Sequence, residues 1–397
     1  MKNKPGTSLG VSSFTDRISG EGAEAWEIHA EANRAKARGE DVIVLSVGDP
    51  DFATPAPVVS CAIDALNNGD THYAATAGRD ELRQAIATDF SSRTGVTTDI
   101  DNVFVFAGTQ NALFATSLVL LEHGDEVIAL EPMYVSYEAS LSLGGAKLVT
   151  VAQPAEQGFR PNIKLIEQAI TPATRALVIT TPNNPTGVAM TKEELTSIAQ
   201  LAIKHNLWVV SDEIYTDIIF DGEHHSIAAL PGMAERTVTI NGLSKSHAMT
   251  GWRIGWTIAP KQLAPHYDNL TLCMLYGIPG FIQQAALLAL TDQRDASVEM
   301  KELYRLRRDV VCAELEKADN LPLLKPQAAM YVMADIRAYG LSGNEFCHAL
   351  YKKTGVSVLD AGAFGESARG WIRISFTLGE DTLKEGCKRI VSFLNTL

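Results

Sequence analysis

Between about residues 42 and 260, short β-rich apolar runs alternate with stretches of helical spacing, and this rhythm narrows the folds open to the chain. The runs are VIVLSV (42–47), VFVFAG (103–108), EVIALE (126–131), KLVTVA (147–152), RALVIT (175–180), LWVVSD (207–212), TVTING (237–242) and GWTIAP (255–260). Between several of them lie PAPVVSCAIDALNNG (55–69), ALFATSLVLLEHG (112–124), NIKLIEQAI (162–170) and TKEELTSIAQLAIKHN (191–206). Strand alternating with helix predicts an α/β fold with a mainly parallel sheet. In TKEE, Thr191 and Glu194 have capping-box spacing, which marks a helix start.

After about residue 290 the texture changes. A charged helix near 294–318 is followed by YVMADI (331–336), a helix near 342–354, VSVLDAG (356–362) and WIRISF (371–376). This predicts a smaller α+β domain. The first forty-odd residues are helical in pattern and cannot form a domain alone, so they are expected to pack on the C-terminal part. The expected division is an N-terminal arm with part of the small domain (1–45), a large domain (46–290) and a C-terminal small domain (291–397).

Composition excludes several classes. With 34 Lys and Arg against 47 Asp and Glu, the net charge is −13, which argues against a general nucleic-acid or anionic-membrane binder. The five cysteines are odd in number and form no CxxC pair, and the first twenty residues hold no apolar signal core. Reduced thiols and a cytoplasmic location are expected, with no membrane span. No glycine-rich nucleotide fingerprint or P-loop is present. The His224–His225 pair in DGEHHS has no third ligand at metal-site spacing and reads as a solvated loop, so no metal site is expected.

The segment TVTINGLSKSHAMTGWRIGWTIA (237–259) carries the chemistry. Lys245 lies between a predicted strand and a glycine-rich turn. In a desolvated cleft its ammonium is disfavoured, and the neutral amine is a nucleophile for an aldehyde. Arg253, eight residues on, suits a phosphate. Aldehyde and phosphate are the two handles of pyridoxal phosphate. A bare lysine and arginine at this spacing are more often two solvated cations; the surrounding SKSHAMTGWRIGW sets this pair apart. Asp212 ends a predicted strand, at the edge where open α/β sheets bind ligands, and a carboxylate there can keep a pyridine nitrogen protonated. In AGTQNALF, the backbone N–H groups of Gly108, Thr109 and Gln110 would face a phosphate at a helix N-terminus. The rigid turn TPNNPTG projects Asn184. Arg373, on the apolar strand of IRISFT, wants a bidentate carboxylate, which an amino acid supplies.

The chain resembles the class I/II aminotransferases, the fold-type I pyridoxal-phosphate enzymes. The resemblance rests on SVGDPDFATP (46–55), THYAATAGRDELRQAIA (71–87), AGTQNALF (107–114), EPMYVSYEA (131–139), TPNNPTG (181–187), SDEIYTD (211–217), the lysine segment and IRISFT (372–377), all in the family's order. It implies a large domain with a mainly parallel seven-stranded sheet sandwiched by helices, and a smaller α+β domain. It also implies that Lys245 binds pyridoxal 5′-phosphate covalently, with Asp212 under the ring. Tyr215 and Asn184 would bond the phenolate oxygen, and Tyr134 would stack on the ring. Arg373 and the backbone of Gly48 would hold the substrate carboxylate. Tyr73 would reach the phosphate of a neighbouring subunit, which implies a homodimer with shared active sites. Where several relatives have a serine three residues before the lysine, this chain has Gly242; Ser244 is the expected substitute.

The expected reaction is ping-pong transfer of an amino group from an L-amino acid to a 2-oxo acid. EPMYVSYEA, LPGMAERT, LSKSHAMTGWR and LCMLYG are most similar to the arginine–pyruvate transaminase branch. The neutral Gln110 aligns with a lysine that aspartate-specific relatives use, which lowers the case for an acidic substrate. Glu24 and Trp26 are candidate side-chain selectors by alignment. Competing readings are a broad or aspartate aminotransferase using 2-oxoglutarate, a pyridoxal-phosphate-dependent β-lyase and a non-catalytic regulator domain.

Overall fold

The computed structural model describes residues 26–397. In chain order the first half comprises α1 (Glu27–Ala37), β1 (Ile43–Val44), α2 (Ala56–Asn67), α3 (Asp80–Thr94), β2 (Val103–Phe106), α4 (Thr109–Leu120), β3 (Glu126–Glu131), α5 (Tyr137–Ser142), β4 (Lys147–Ala152), α6 (Ile163–Ala169), β5 (Thr174–Thr180) and α7 (Lys192–Lys204). Then come β6 (Trp208–Asp212), β7 (Thr237–Gly242), β8 (Gly255–Ile258), α8 (Ala264–Met274), α9 (Gly280–Thr291), α10 (Arg294–Leu315), β9 (Leu323–Leu324), β10 (Tyr331–Asp335), α11 (Gly343–Thr354), β11 (Val356–Ser357), β12 (Leu359–Asp360), β13 (Trp371–Ser375) and α12 (Glu380–Leu394).

Seven strands form one sheet in the order β2-β8-β7-β6-β5-β3-β4. All neighbours are parallel except β8, which runs against both β2 and β7. Strands buried on both faces need apolar side chains at successive positions, and these runs supply them. Val127 and Ala129 pack with Ala112, Leu113 and Tyr267 on one face, while Ile128 and Leu130 pack with Ile166, Leu195 and Ile198 on the other. Helices α2, α3 and α9 cover the β2–β8 end through Val58, Leu82, Ile86 and Ala285. This is the expected α/β sandwich, with a sheet of seven strands, six of them running the same way.

A second layer is built on the antiparallel sheet β12-β13-β10-β9 and the parallel pair β1-β11. Its core joins Tyr331, Met333, Ile372 and Ile374 to Leu315 of α10, Phe346 of α11 and Ile390 of α12. Ile28, Ile43 and Leu45 enter the same core. The run VIVLSV is therefore not a strand of the large sheet. Only two residues of it are strand, and Ile43 pairs with Val356. Leu45 follows the ladder, donating to Ser357 O (2.8 Å) and accepting from Ser375 N (2.8 Å), before Gly48 and Pro50 turn the chain away. Among the described residues, no helix is long and apolar enough to cross a membrane.

The direction of β8 positions the site. The loops that follow β2, β3, β5, β6 and β7 open at the carboxyl edge of the sheet, where ligands bind in such folds. Because β8 runs the other way, the loop before it opens at that same edge. Gly255, its first residue, sits opposite both Phe106 and Gly242.

The expected capping box is formed: Glu194 N donates to Thr191 Oγ1 (3.2 Å) and Thr191 N to Glu194 Oε2 (2.7 Å). Replacing Thr191 with alanine is expected to cost about 1 kcal/mol and lower the melting midpoint. An unchanged midpoint would show that this cap contributes nothing.

Candidate active site

At the carboxyl edge lies a cavity of about 680 Å³. It is lined by residues from each of those loops: Thr109 and Gln110 after β2, Tyr134 after β3, Asn184 after β5, Asp212 and Tyr215 at β6, and Ser244 and Lys245 after β7. Arg253 enters just ahead of β8, and Gly48 and Arg373 come from the second layer. Eleven sequence-predicted residues thus meet in one place, although they span most of the chain.

The charged groups are unevenly matched. Asp212 Oδ2 accepts from the Tyr137 hydroxyl (2.6 Å) and Oδ1 from Ile214 N (3.2 Å), and Tyr137 also bonds Thr180 Oγ1 (2.9 Å). Burial outweighs these donors and pushes the Asp212 carboxyl up to about 6. Lys245 Nζ donates to Gly48 O (2.7 Å). Arg253 Nη1 and Nη2 donate to Thr250 O (2.8 Å) and Ala107 O (3.2 Å). Arg373 is 1% exposed, donating from Nη1 to Asn184 Oδ1 (2.9 Å) and from Nη2 to Ser46 O (2.7 Å), while its Nε has no partner. Its guanidinium lies 4.2 Å from the Tyr331 ring centre and 4.8 Å from that of Phe364. Among the described residues, no carboxylate pairs with Arg253 or Arg373, and no cation pairs with Asp212.

Close backbone approach explains the glycines. A Cβ on Gly48 would overlap the Tyr331 hydroxyl, and one on Gly108 the Arg253 guanidinium. A Cβ on Gly255 would lie 2.7 Å from Thr109 N, and one on Gly242 would lie 2.9 Å from Ile254 O. The ends of β7 and β8 press directly on the start of α4, so a serine at Gly242 has no room. Arg253 itself takes a left-handed conformation (φ 54°), which aims its side chain back toward Gly108. The expectation for Gly108 needs correcting. Its N–H is committed to Phe106 O (2.8 Å), leaving Thr109 and Gln110 as the free donors that open α4.

An unpaired exposed arginine beside a helix N-terminus, a lysine, and a half-buried carboxylate with only neutral donors are the chemical complement of phosphate, aldehyde and protonated pyridine. The residues present fit pyridoxal phosphate. The family model described as aminotransferase class I and II matches residues 40–390. The chain belongs to that family. This aminotransferase is 49% identical to the arginine–pyruvate transaminase of Pseudomonas aeruginosa over 379 residues, which is 96% of each protein. It is 37% identical over 359 residues to an aspartate aminotransferase of Pyrococcus abyssi, covering 89% of this chain and 92% of that one. The structure of the Thermus thermophilus aspartate aminotransferase with maleate superimposes with a TM-score of 0.91 at 34% identity, over 97% of this chain and all of that one. The aminotransferase is a pyridoxal-phosphate enzyme of fold type I.

Some predicted residues stand apart. Tyr73 is 85% exposed and packs on Tyr276 (4.7 Å between ring centres), outside the lining of its own chain's cavity. Glu24 lies outside the described residues, whereas Trp26 lines the cavity. Sequence reasoning missed Tyr137, Tyr331, His29 and Asn33. His29 and Asn33 share one face of α1 with Trp26, and the spacing of three and four residues was the available signal. His29 is fixed between Ser46 Oγ (3.0 Å) and Asn33 Nδ2 (2.8 Å). Burial and the Arg373 charge hold its imidazole below the usual histidine range. The Gln110 side chain is tied to Ser136 Oγ and Ser140 Oγ, each at 2.6 Å. The reading of DGEHHS as a solvated loop is also corrected, because His224 is drawn in to within 2.9 Å of Glu213.

A carboxyl raised from 3.8 to about 6 contributes nothing to folding at pH values where both states hold the proton and opposes folding once ionised, so its cost sets in between those two values as pH rises. Cofactor-free Asp212→Asn is therefore expected to be more stable than the parent at pH 8, by about 3 kcal/mol at most. The difference should vanish by about pH 4 in thermal melts. A constant difference at both pH values would contradict this account.

Proposed function

We propose that this aminotransferase moves the amino group of arginine, or of another non-acidic L-amino acid, to pyruvate. The observation that carries the substrate reading is the charge inventory of the cavity. Lys245, Arg253 and Arg373 are its only lysine or arginine lining residues, and Asp49 and Asp212 its only carboxylates, among the described residues. With Lys245 and Arg253 serving the cofactor and Arg373 the α-carboxylate, no cation is left for a second substrate carboxylate. Asp49 accepts from Thr250 Oγ1 through one oxygen (2.7 Å) and keeps the other. Trp26 offers an aromatic face and Asn33 an amide oxygen, and both suit a guanidinium. The 49% identity to an arginine–pyruvate transaminase supports the same reading.

When bound, pyridoxal phosphate supplies an aldehyde that accepts the amino group and a ring that withdraws electrons from Cα. Lys245 would hold it, and its Nζ would take the proton from the substrate Cα and return it as general acid. Asp212 holds a proton on the ring nitrogen. Tyr215 donates to the phenolate oxygen, and so does the amide N–H of Asn184, whose Oδ1 is already occupied by Arg373. Tyr134 would stack on the ring. Arg253, Ser244 and the N–H groups of Thr109 and Gln110 take the phosphate. Arg373 and the backbone of Gly48 would hold the substrate carboxylate and so orient the Cα–H bond toward Lys245. Tyr73, with its exposed neighbour Tyr276, is read as a contribution to the phosphate of a second subunit in a homodimer. The division at residues 45 and 290 belongs to the same reading, and the pairing of β1 with β11 supports it.

Initial rates with arginine and pyruvate are expected to exceed those with aspartate and 2-oxoglutarate by roughly tenfold or more, since an unpaired second carboxylate is costly. Equal or better turnover of the acidic pair would reject the substrate reading. Lys245→Ala is expected to abolish turnover. Arg373→Gln is expected to raise KM for donor and acceptor together by roughly a hundredfold, the loss of one charge-assisted pair. An unchanged KM would remove Arg373 from the carboxylate site.

A further inference from the structure

Tyr331 lines the cavity beside Gly48 and Arg373 and opens β10. Side chains two residues apart share one face of a strand, so Tyr331 and Met333 face the same way as their ladder partners Ser375 and Arg373. Arg373 is therefore the diagonal neighbour of Tyr331, within reach of a long side chain. This is why its guanidinium rests against the Tyr331 ring, 4.2 Å from the centre. The hydroxyl end is placed as closely. A Cβ on Gly48 would overlap it, so the bare backbone at Gly48 is what admits it. There it lies 3.1 Å from the Tyr215 hydroxyl, and both tyrosines are buried. Neither hydroxyl has a further hydrogen-bond partner among the described residues.

The direction of that bond follows from the chemistry of the pair. Burial, with Tyr331 beside it, raises the Tyr215 phenol well above its ordinary range, so Tyr215 keeps its proton. A phenol has one proton to give. When Tyr215 gives it to the cofactor's phenolate oxygen, the Tyr215 oxygen is left to accept, and the proton between the two tyrosines is that of Tyr331. A hydroxyl that accepts one hydrogen bond donates the next more strongly, because each bond polarises its neighbour. The other ionisable groups around the pair are Tyr134 after β3, Lys245 after β7, Tyr304 of α10 and Arg373 of β13, and none of them hydrogen-bonds to either hydroxyl. Both groups read as phenolate donors are thus backed by side chains of the second layer: Asn184 Oδ1 by Arg373 (2.9 Å) and Tyr215 by Tyr331.

We propose that Tyr331 is a positioning residue for the transamination: its hydroxyl donates to the Tyr215 oxygen and so strengthens the hydrogen bond that Tyr215 gives to the cofactor's phenolate oxygen. Tyr331 acts here through Tyr215 alone. The proposal rests on the phenolate role given to Tyr215 above.

The test uses the holoenzyme and three variants, Tyr331→Phe, Tyr215→Phe and the double variant. Donors on the phenolate oxygen stabilise its negative charge, so the linkage between Lys245 and the cofactor loses its proton at lower pH. The midpoint of that loss is read from the cofactor's absorbance against pH, without turnover. In Tyr331→Phe it should rise by on the order of half a unit, and by less than in Tyr215→Phe, because only the polarising neighbour is lost. KM for donor and acceptor should stay within about twofold of the parent, since the ring remains against Arg373. The double variant should match Tyr215→Phe, because a residue that acts through Tyr215 then has nothing to act on. Additive shifts in the double variant are what a merely structural role would give, and they overturn the proposal. So does an unmoved midpoint in Tyr331→Phe; joined to a raised KM, it would make the hydroxyl a substrate contact instead. Tyr215→Phe separates the two levels of argument. If it leaves the midpoint in place, the phenolate role of Tyr215 falls and this inference with it; if it moves the midpoint and Tyr331→Phe does not, only the part given to Tyr331 is wrong.

Discussion

Asp212 is withdrawn from bulk water at the end of β6, and its protein partners, a tyrosine hydroxyl and one backbone N–H, carry no charge. Burying a carboxylate in this way is costly unless something positive arrives to meet it. The rest of the site can be understood as the set of groups placed to deliver and use that positive partner. Lys245 leaves the adjacent strand β7, Asn184 leaves β5 on the other side, and Arg253 arrives through the reversed strand β8. A parallel sheet puts the ends of neighbouring strands about 4.8 Å apart, which is the scale of a substituted pyridine ring. Sheet geometry sets the scale of this spacing, and the short loops beyond β5 and β7 and ahead of β8 carry Asn184, Lys245 and Arg253 the remaining distance.

The same geometry demands small residues where the backbone closes in. Gly242, Gly255 and Gly108 lie where β7, β8 and the start of α4 meet, and any side chain there would collide with backbone or with Arg253. This dense junction holds the α4 N–H groups and the Arg253 guanidinium against one another without an ion pair. A phosphate bound there gains both a helix end and a cation at little cost in reorganisation. Gly48 does the same for the other end of the cavity, letting its carbonyl reach Lys245 while Tyr331 fills the space behind it.

Much of this is legible in the amino-acid sequence, for identifiable reasons. The strands EVIALE, KLVTVA and TVTING appear with the boundaries read from the chain, because doubly buried strands write themselves as apolar runs. VIVLSV misleads because an apolar run does not say which sheet it joins, and two residues of backbone pairing with β11 decide that. Helices α3, α5, α8, α9 and α12 were not singled out. In α3 the stripe of Leu82, Ile86 and Phe90 is one residue wide and set among charged and polar neighbours, and in α8 only Tyr267 and Thr271 are buried. Among site residues, those inside compact motifs are recoverable, since a turn or strand end dictates where Asp212, Asn184 and Lys245 go. Tyr331 and Tyr137 are not, because a tyrosine in an apolar run looks like core. His224 was misjudged because the partner that draws it inward, Glu213, lies eleven positions away across a loop.

The charge balance of the cavity and that of the molecule bear on substrate choice at different ranges. The chain carries a net −13, which draws a cationic amino acid and opposes a dianionic oxo acid at long range. Over more than about 8 Å physiological salt screens most of that effect, so it governs encounter more than discrimination. Discrimination falls to the lining, where Lys245, Arg253 and Arg373 face Asp49 and Asp212. A phosphate and one substrate carboxylate already exhaust what Arg253 and Arg373 can neutralise. A second carboxylate would have to be desolvated beside Asp49 and the fixed, neutral Gln110 with no compensating bond. A guanidinium in the same place would find an acceptor and an aromatic face, and a small monocarboxylate such as pyruvate would ask for nothing there at all.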